Sequence, residues 1–542
     1  MALLMELKKR MLSKSEEQLV ELLCKPDGDL RLSQLVDLSS MSESEVLETE
    51  YAGDTIVQAK LVRRLIAPIL LERIGPARFL DDVRILEAVD GRAMLKRIRY
   101  LYAQMGEMNK KMEEYVASNG PFSPVKRIQA FGLGGSASGG LLACEIIQNE
   151  EYCAPLDIHM GYPESFHGID SETMVVICSF SGDTEEMLYA FDYAAQRTKN
   201  ILILSLGGDL GRLRADHYPF VEIPKSDIIK PRESIGYWVS AFLFIISSLG
   251  LAKKDDGTVY RFNISDVEAT KERLDEIDKS CSEEAPFAEN RAKQYATYFL
   301  YGTESGSISS QTDRQHPRVP VVFLHGADRA IGKRLANQFG ETVEHPVELV
   351  VLAEDAHNEI ESVATMMLEE KLDDGARSRN YILISSQPYG SSAGSHRESR
   401  AGQRMEATLE TLFNEHGVDF LRIGPEGSSV LERKLGLLKL LDYARLYASI
   451  LLGTPPLPTI FMDLMKSKME KILGTADRDL LRILVQSQEF PISQEEALSN
   501  QSVKSRFPAL RHTVLKRLIG GGYLRVDSGM LELTDRGKEL IG

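Results

Sequence analysis

The stretch VKRIQAFGLGGSASGG, residues 125–140, is a short apolar run that ends in glycines and small hydroxyl residues. An apolar run of that length, closed by Gly and followed by a helical pattern, reads as a buried strand, a loop and a helix. The habit recurs in TMVVICSFSG and NILILSLGG, with helices expected to begin near Gly139, Thr184 and Arg212. Strands alternating with helices imply a parallel sheet covered on both faces. Residues 281–470 repeat the pattern in VPVVFLHG, VELVVLAED and NYILISS, so two successive α/β domains are expected.

The glycines admit two readings. Gly132, Gly134 and Ala137 fit a dinucleotide fingerprint in the variant that ends in Ala. That reading needs an acidic residue about 20 positions on, after the second strand, to hold a ribose. Asp157 lies inside APLDIHMG rather than after it, and Glu164 lies beyond, so neither fits. A single phosphate needs something else: glycine N–H groups that approach closely, short hydroxyls and a helix N-terminus. Gly135 and Ser136 offer these at one strand end, and Ser179, Ser181 and Thr184 in SFSGDTEE offer them at the next. Both loops would lie at the carboxyl ends of parallel strands, the ligand crevice of open α/β sheets.

The pair GLGGSxxxG and SxSGxT resembles the sugar isomerase (SIS) domain family. Three further motifs narrow the resemblance to the archaeal-type bifunctional phosphoglucose/phosphomannose isomerases, which contain two such domains. Pro231-Arg232 stands after the third strand of the first domain, GETVEHPVELVVLAEDAHNEI carries Glu341 and His357 sixteen apart, and LPTIFMDLMK carries Thr459 and Lys466 seven apart, a pair that the family places on one helix. The resemblance covers residues 120–470. It implies an aldose–ketose isomerase, an intramolecular oxidoreductase that interconverts glucose 6-phosphate and mannose 6-phosphate with fructose 6-phosphate through a cis-enediol.

In that chemistry a carboxylate moves a proton between C2 and C1, the part the resemblance gives to Glu341. Arg232 would stabilise the enediolate oxygen, and His357 with Lys466 would open the ring. Gly135, Ser136, Ser179, Ser181 and Thr184 would hold the phosphate, and Thr459 would leave room beside C2. No metal or redox cofactor is required. The resemblance also implies a homodimer with a shared active site, His357 coming from the partner subunit. Two departures stand out: Asp183 occupies the family's usual Asn position in the phosphate loop, and Gly340 precedes the base. Taken singly, Glu341 would pass for a solvated carboxylate and Arg232 for an ion-pair partner of Glu233.

The expected fold class is therefore α/β, with two SIS-type three-layer αβα domains on parallel sheets. The first spans 119–255 and the second 281–472. A helical N-terminal region, 1–118, and a winged-helix-like domain, 476–542, flank them. Two polar stretches, within 303–318 and at Gln387–Arg404, are expected as exposed loops.

At 542 residues, with 43 % hydrophobic and 27 % charged, the chain has the balance of folded globular domains. Its longest apolar run, Val239–Leu249, is too short to span a bilayer, and the N-terminus has no cleavage pattern, so a cytoplasmic location is expected. Five cysteines without a CxxC pair argue against a disulfide framework or a thiolate zinc site.

The net charge of −16 disfavours nucleic acid, with one local exception. From Asp477 onward ten Lys and Arg face nine Asp and Glu. Lys504, Arg506, Arg511, Lys516 and Arg517 are expected on one recognition helix, with Arg525 on the wing. The competing function is thus a sugar-phosphate-sensing regulator that uses this domain on DNA. It ranks second, because a sensor has no need of a proton-transfer base.

Overall fold

The computed structural model describes residues 8–25, 55–90, 92–161, 168–226, 230–303, 317–352, 365, 379–386, 397–415, 417–424, 426–456, 474–487 and 490–541. The chain forms two compact units: Ala103–Ile147, Tyr152–Asn263 and Thr459–Gly542 make one, and Met1–Tyr102, Gln148–Glu151 and Ile264–Pro458 the other.

The unit that contains the opening stretch is built on five parallel strands, β1 (Arg127–Gly132), β2 (Leu156–His159), β3 (Thr173–Ser179), β4 (Ile201–Ser205) and β5 (Phe220–Glu222), in the order β2-β1-β3-β4-β5. β3 and β4 are buried along their whole length, which is why they read as unbroken apolar runs. The chain leaves β1 toward one edge and β3 toward the other, so the sheet's switch point lies between these two strands. Gly132 pairs with Cys178 there, placing the two glycine–hydroxyl loops side by side. The helix after β1, Gly135–Asn149, begins four residues earlier than Gly139, because Gly134 at φ +54° turns the chain directly into it. The helix after β4 begins at Gly208 rather than Arg212.

The C-terminal segment belongs to the same unit. Helices Thr475–Ser487, Gln494–Ser499, Gln501–Arg506, Arg511–Gly520 and Asp535–Ile541 surround a small antiparallel sheet of β10 (Ile492–Ser493), β11 (Leu524–Asp527) and β12 (Met530–Leu533), in the order β10-β12-β11. Ser528 and Gly529, both at positive φ, make the hairpin turn between β11 and β12. The basic residues do not share one helix. Pro508 has no N–H to donate, and Phe507 leaves helical geometry at φ −130°, so the run splits into Gln501–Arg506 and Arg511–Gly520. Nor do these residues form a free basic face. Lys504 and Arg511 pair with Asp216, Arg506 with Asp479, Arg517 with Asp477 and Glu185, and Arg525 with Glu532, while Lys516 is exposed.

Leu510, Val514 and Leu518 of this segment share one hydrophobic core with Met187, Leu188 and Phe191 from the helix Glu185–Ala195. Asp192 of that helix is buried in the junction and accepts the N–H groups of Ala509 at 2.7 Å and Leu510 at 3.2 Å. Burial pushes its carboxyl up to about 8, against the pull of those two bonds and of Arg511. Between about pH 4 and this value the folded chain holds a proton that the unfolded chain has released. This group therefore lowers stability as pH rises through that window and adds no further slope above it. Asp192→Asn stays neutral and keeps one acceptor oxygen. Its urea midpoint should fall less than that of the parent between pH 5 and pH 8, the difference reaching about 1.4 kcal/mol per pH unit at its steepest. Parallel curves for the two proteins would show that Asp192 is already ionised in the fold.

The other unit has a four-stranded parallel sheet, β6 (Val319–His325), β7 (Glu348–Leu352), β8 (Arg379–Ile384) and β9 (Phe420–Ile423), in the order β7-β6-β8-β9. Its switch point lies between β6 and β8. The helix Val430–Leu451, started by a capping box of Ser429 and Glu432, packs against helices Arg291–Tyr301 and Thr55–Asp81. The described residues up to Tyr102 are thus mainly helical and belong to this unit, whereas residues 103–118 of the expected N-terminal region belong to the unit of the first sheet. Within the polar stretch Gln387–Arg404, residues 387–396 lie outside the described ones, but from Arg397 the chain is the helix Arg397–Glu415 rather than a loop. Most of the stretch 303–318 also lies outside them.

Candidate active site

At the end of β3 the hydroxyls of Ser179 and Thr184 lie 3.0 Å apart, and Ser179 Oγ accepts the N–H of Gly182 at 3.0 Å. Thr184 is the N-cap residue of the helix Glu185–Ala195, yet its side chain makes no capping bond, because it is turned to Ser179. An N-terminus without its cap keeps donors available for an anion. Ser181 is exposed and its Oγ accepts the N–H of Asp183 at 3.3 Å. Asp183 is exposed, and its Oδ1 accepts the N–H of Asp209 at 2.8 Å, which directs the carboxylate to the segment after β4.

At the end of β1, Ser136 is buried and Gly135 starts a helix. A Cβ on Gly135 would stand 2.7 Å from the carbonyl oxygen of Pro231, which brings the Pro231-Arg232 backbone against the glycine loop. Pro231–Glu233 is a single 3-10 turn that follows β5, a three-residue edge strand, so the Pro-Arg pair comes two strands beyond β3. The Arg232 side chain is largely covered, with Nε 3.7 Å from Glu233 Oε1, so the ion pair is a loose one. Gln104, buried on the helix Leu101–Asn119, fixes this turn. Its Nε2 donates to Glu233 O at 2.8 Å and its Oε1 accepts from Gly236 N–H at 3.0 Å. Nothing in the sequence around Gln104 points to that role.

Among the described residues, the strand ends beside the switch point of the other sheet carry a buried ion pair. Asp328, fully buried after β6, accepts from Lys434 Nζ at 2.6 Å and from the N–H of Ser386 at 2.8 Å, and Lys434 is itself fully buried. The chain supplies its own anion where the first sheet leaves hydroxyls and glycines. His325 Nδ1 accepts the N–H of Ala327 at 3.1 Å, and His345 Nε2 meets the carbonyl of Arg318 at 2.7 Å, so both histidines are structural here.

Glu341 is half-buried in the π-helical segment Phe339–Val343, a form of helix that occurs mostly as short bulges at functional sites. Thr342 beside it is buried and bound through Oγ1 to Arg445 Nη1 at 3.0 Å, which holds the segment on the helix Val430–Leu451. Glu344, a few residues on, is neutralised by Lys60 and Arg64 of the helix Thr55–Asp81. His357, Thr459 and Lys466 lie outside the described residues. Among the described residues the structure therefore brings together Gly135, Ser136, Ser179, Ser181, Thr184 and Arg232 in one unit and places Glu341 in the other. No cluster of metal-ligating side chains occurs among them.

Residues 308–469 match the family model of the bacterial phospho-glucose isomerase C-terminal SIS domain. That SIS region contains Glu341, His357, Thr459 and Lys466. A bifunctional phosphoglucose/phosphomannose isomerase of Caldicellulosiruptor bescii is 26 % identical over 352 residues, 64 % of this chain and 91 % of that protein. Its counterpart in Aquifex aeolicus is 25 % identical over 350 residues, 64 % of this chain and 92 % of that protein. Among solved structures, a hypothetical protein from Thermus thermophilus superposes with a TM-score of 0.50 at 16 % identity, over 74 % of this chain and 96 % of its own. The fold class is accordingly SIS-type α/β with parallel sheets. No described helix is long and apolar enough to cross a membrane.

Proposed function

We propose that this chain is a sugar-phosphate isomerase that interconverts glucose 6-phosphate and mannose 6-phosphate with fructose 6-phosphate. The observation that carries the reading is the switch point of the first sheet. There, hydroxyls and glycines of two adjacent strand ends converge, while the carboxylates on either side of Thr184 have partners outside the loop, Asp183 the N–H of Asp209 and Glu185 the guanidinium of Arg517. That is the donor set of a phosphate cradle. The names of the relatives supply the reaction class, and no redox cofactor or metal enters it.

In this reading Ser179, Ser181 and Thr184, with Gly135 and Ser136, hold the phosphate. Glu341 abstracts the C2 proton of the aldose and returns it to C1 on the same face, which conserves the proton in an intramolecular redox step. Arg232 stabilises the enediolate, since its guanidinium stays charged throughout. His357 and Lys466 open the ring, and Thr459 leaves space at C2 for either epimer. A homodimer that shares its site, with His357 of the partner subunit completing it, is part of the same proposal.

The regulator reading has less support, because five of the six basic residues assigned to DNA, all but the exposed Lys516, are paired with carboxylates of their own unit. The deciding experiment is a coupled assay of the purified full chain on both hexose phosphates. We expect turnover of each to fructose 6-phosphate at about 1–10³ s⁻¹, the range of ordinary enzymes. A folded chain inert on both would overturn the isomerase.

A further inference from the structure

The helix Arg511–Gly520 lies against the loops that build the phosphate cradle, within one compact unit. Thr513 Oγ1 donates to Asp209 Oδ2 at 2.7 Å. Asp209 in turn donates its N–H to Asp183 Oδ1 at 2.8 Å. Four residues along the helix, Arg517 Nη1 donates to Glu185 Oε2 at 2.8 Å, while Nε holds the buried Asp477 at 2.7 Å. Asp183 and Glu185 are the two neighbours of Thr184, whose hydroxyl meets Ser179. Two separate polar connections thus run from one C-terminal helix to the residues on each side of the phosphate-facing threonine. Leu510, Val514 and Leu518 press the same helix into the core beneath Met187 and Leu188.

We propose that the C-terminal domain is a brace for the phosphate loop, with Thr513 and Arg517 as positioning residues that set the geometry of Ser179–Thr184. The inference rests on the reading of that loop as a phosphate site. A group that acts through Asp209 and Glu185 changes how tightly the cradle holds an anion and leaves the proton transfer alone. Linkage requires the converse as well: phosphate in the cradle tightens the docking of the C-terminal domain.

The test uses the full chain with inorganic phosphate as the probe, titrated by calorimetry, beside KM and kcat for fructose 6-phosphate. Thr513→Val removes the first connection, with Asp209 still paired to Arg212, and Glu185→Gln takes the charge out of the second, with Arg517 still paired to Asp477. Each should weaken phosphate binding and raise KM by about fivefold with kcat within about twofold of the parent. Thr513→Ser, which returns the hydroxyl, should restore the parent values. In the cycle of Arg517→Gln and Glu185→Gln, the double variant should bind phosphate no more weakly than the worse single variant. Unchanged phosphate affinity in folded Thr513→Val and Glu185→Gln would overturn the brace, and so would a loss of kcat alone. A parent chain that binds phosphate but turns over no hexose phosphate removes the isomerase and leaves the brace standing. A parent that binds no phosphate removes both.

Discussion

Glu341→Gln is expected to lower turnover of fructose 6-phosphate by about 10³-fold while leaving its dissociation constant within about twofold of the parent. The amide keeps the size and polarity of the side chain but cannot take a proton, so only the transfer between C2 and C1 is lost. The cost in stability should be small, about 1 kcal/mol or less, because Glu341 is only half-buried and the segment around it is also held by Thr342 and Arg445. Glu344→Gln is the matched control. Its carboxylate is paired with Lys60 and Arg64, so the change should cost about 1 kcal/mol of stability and leave kcat unchanged. Rate assays, calorimetric binding and urea unfolding of the two variants separate chemistry from structure. If Glu341→Gln kept its activity and Glu344→Gln lost it, the base would have been assigned to the wrong carboxylate.

The sheets were legible in the sequence because parallel strands buried on both faces, such as β3 and β4, leave nearly continuous apolar runs. The loops proposed to hold phosphate stood out in the sequence because their glycines and hydroxyls cluster at strand ends, where few purely structural needs put them. Short edge strands left weaker traces. β5 has three residues and β9 four, too few for a period to stand out. The direction of Asp183 could not be read at all, since it depends on the N–H of Asp209, which a separate loop delivers.

The basic C-terminal residues show a second limit. Arg511 and Arg517 have the same identity whether they face DNA or a carboxylate of the same unit, so composition located the charge but not its partner. Gln104 is the extreme case, a neutral amide in a helix without motif that acquires its function from a turn far along the chain. The division of the basic run, by contrast, left a mark in the sequence that the expectation of one helix passed over. Pro508 stands in the middle of the expected recognition helix, and its missing N–H is reason enough to divide it.

Gly182→Ala is expected to cost about 2–4 kcal/mol of stability and to weaken phosphate binding in the molecules that remain folded. Gly182 is buried at φ +84°, a conformation that strains any residue with a Cβ. The added carbon would overlap the carbonyl oxygen of Gly207 and come within 2.7 Å of Ser205 Oγ. The obstacles are the end of β4 and the loop that follows it, and that loop cannot retreat without releasing the bond from Leu210 N–H to Gly182 O, 3.0 Å long. The Gly182 N–H also fixes Ser179 Oγ, so displacement of residue 182 reaches the hydroxyl pair directly. Gly257 supplies the comparison, since it has nearly the same φ, +85°, with open space where its Cβ would be. Gly257→Ala should therefore cost only the backbone term, about 1 kcal/mol, and leave phosphate affinity unchanged. Urea unfolding of both variants measures the difference, and calorimetry with inorganic phosphate measures its consequence. Equal costs at the two positions would mean that the loops after β3 and β4 yield independently, and the packed cradle would then have to be abandoned.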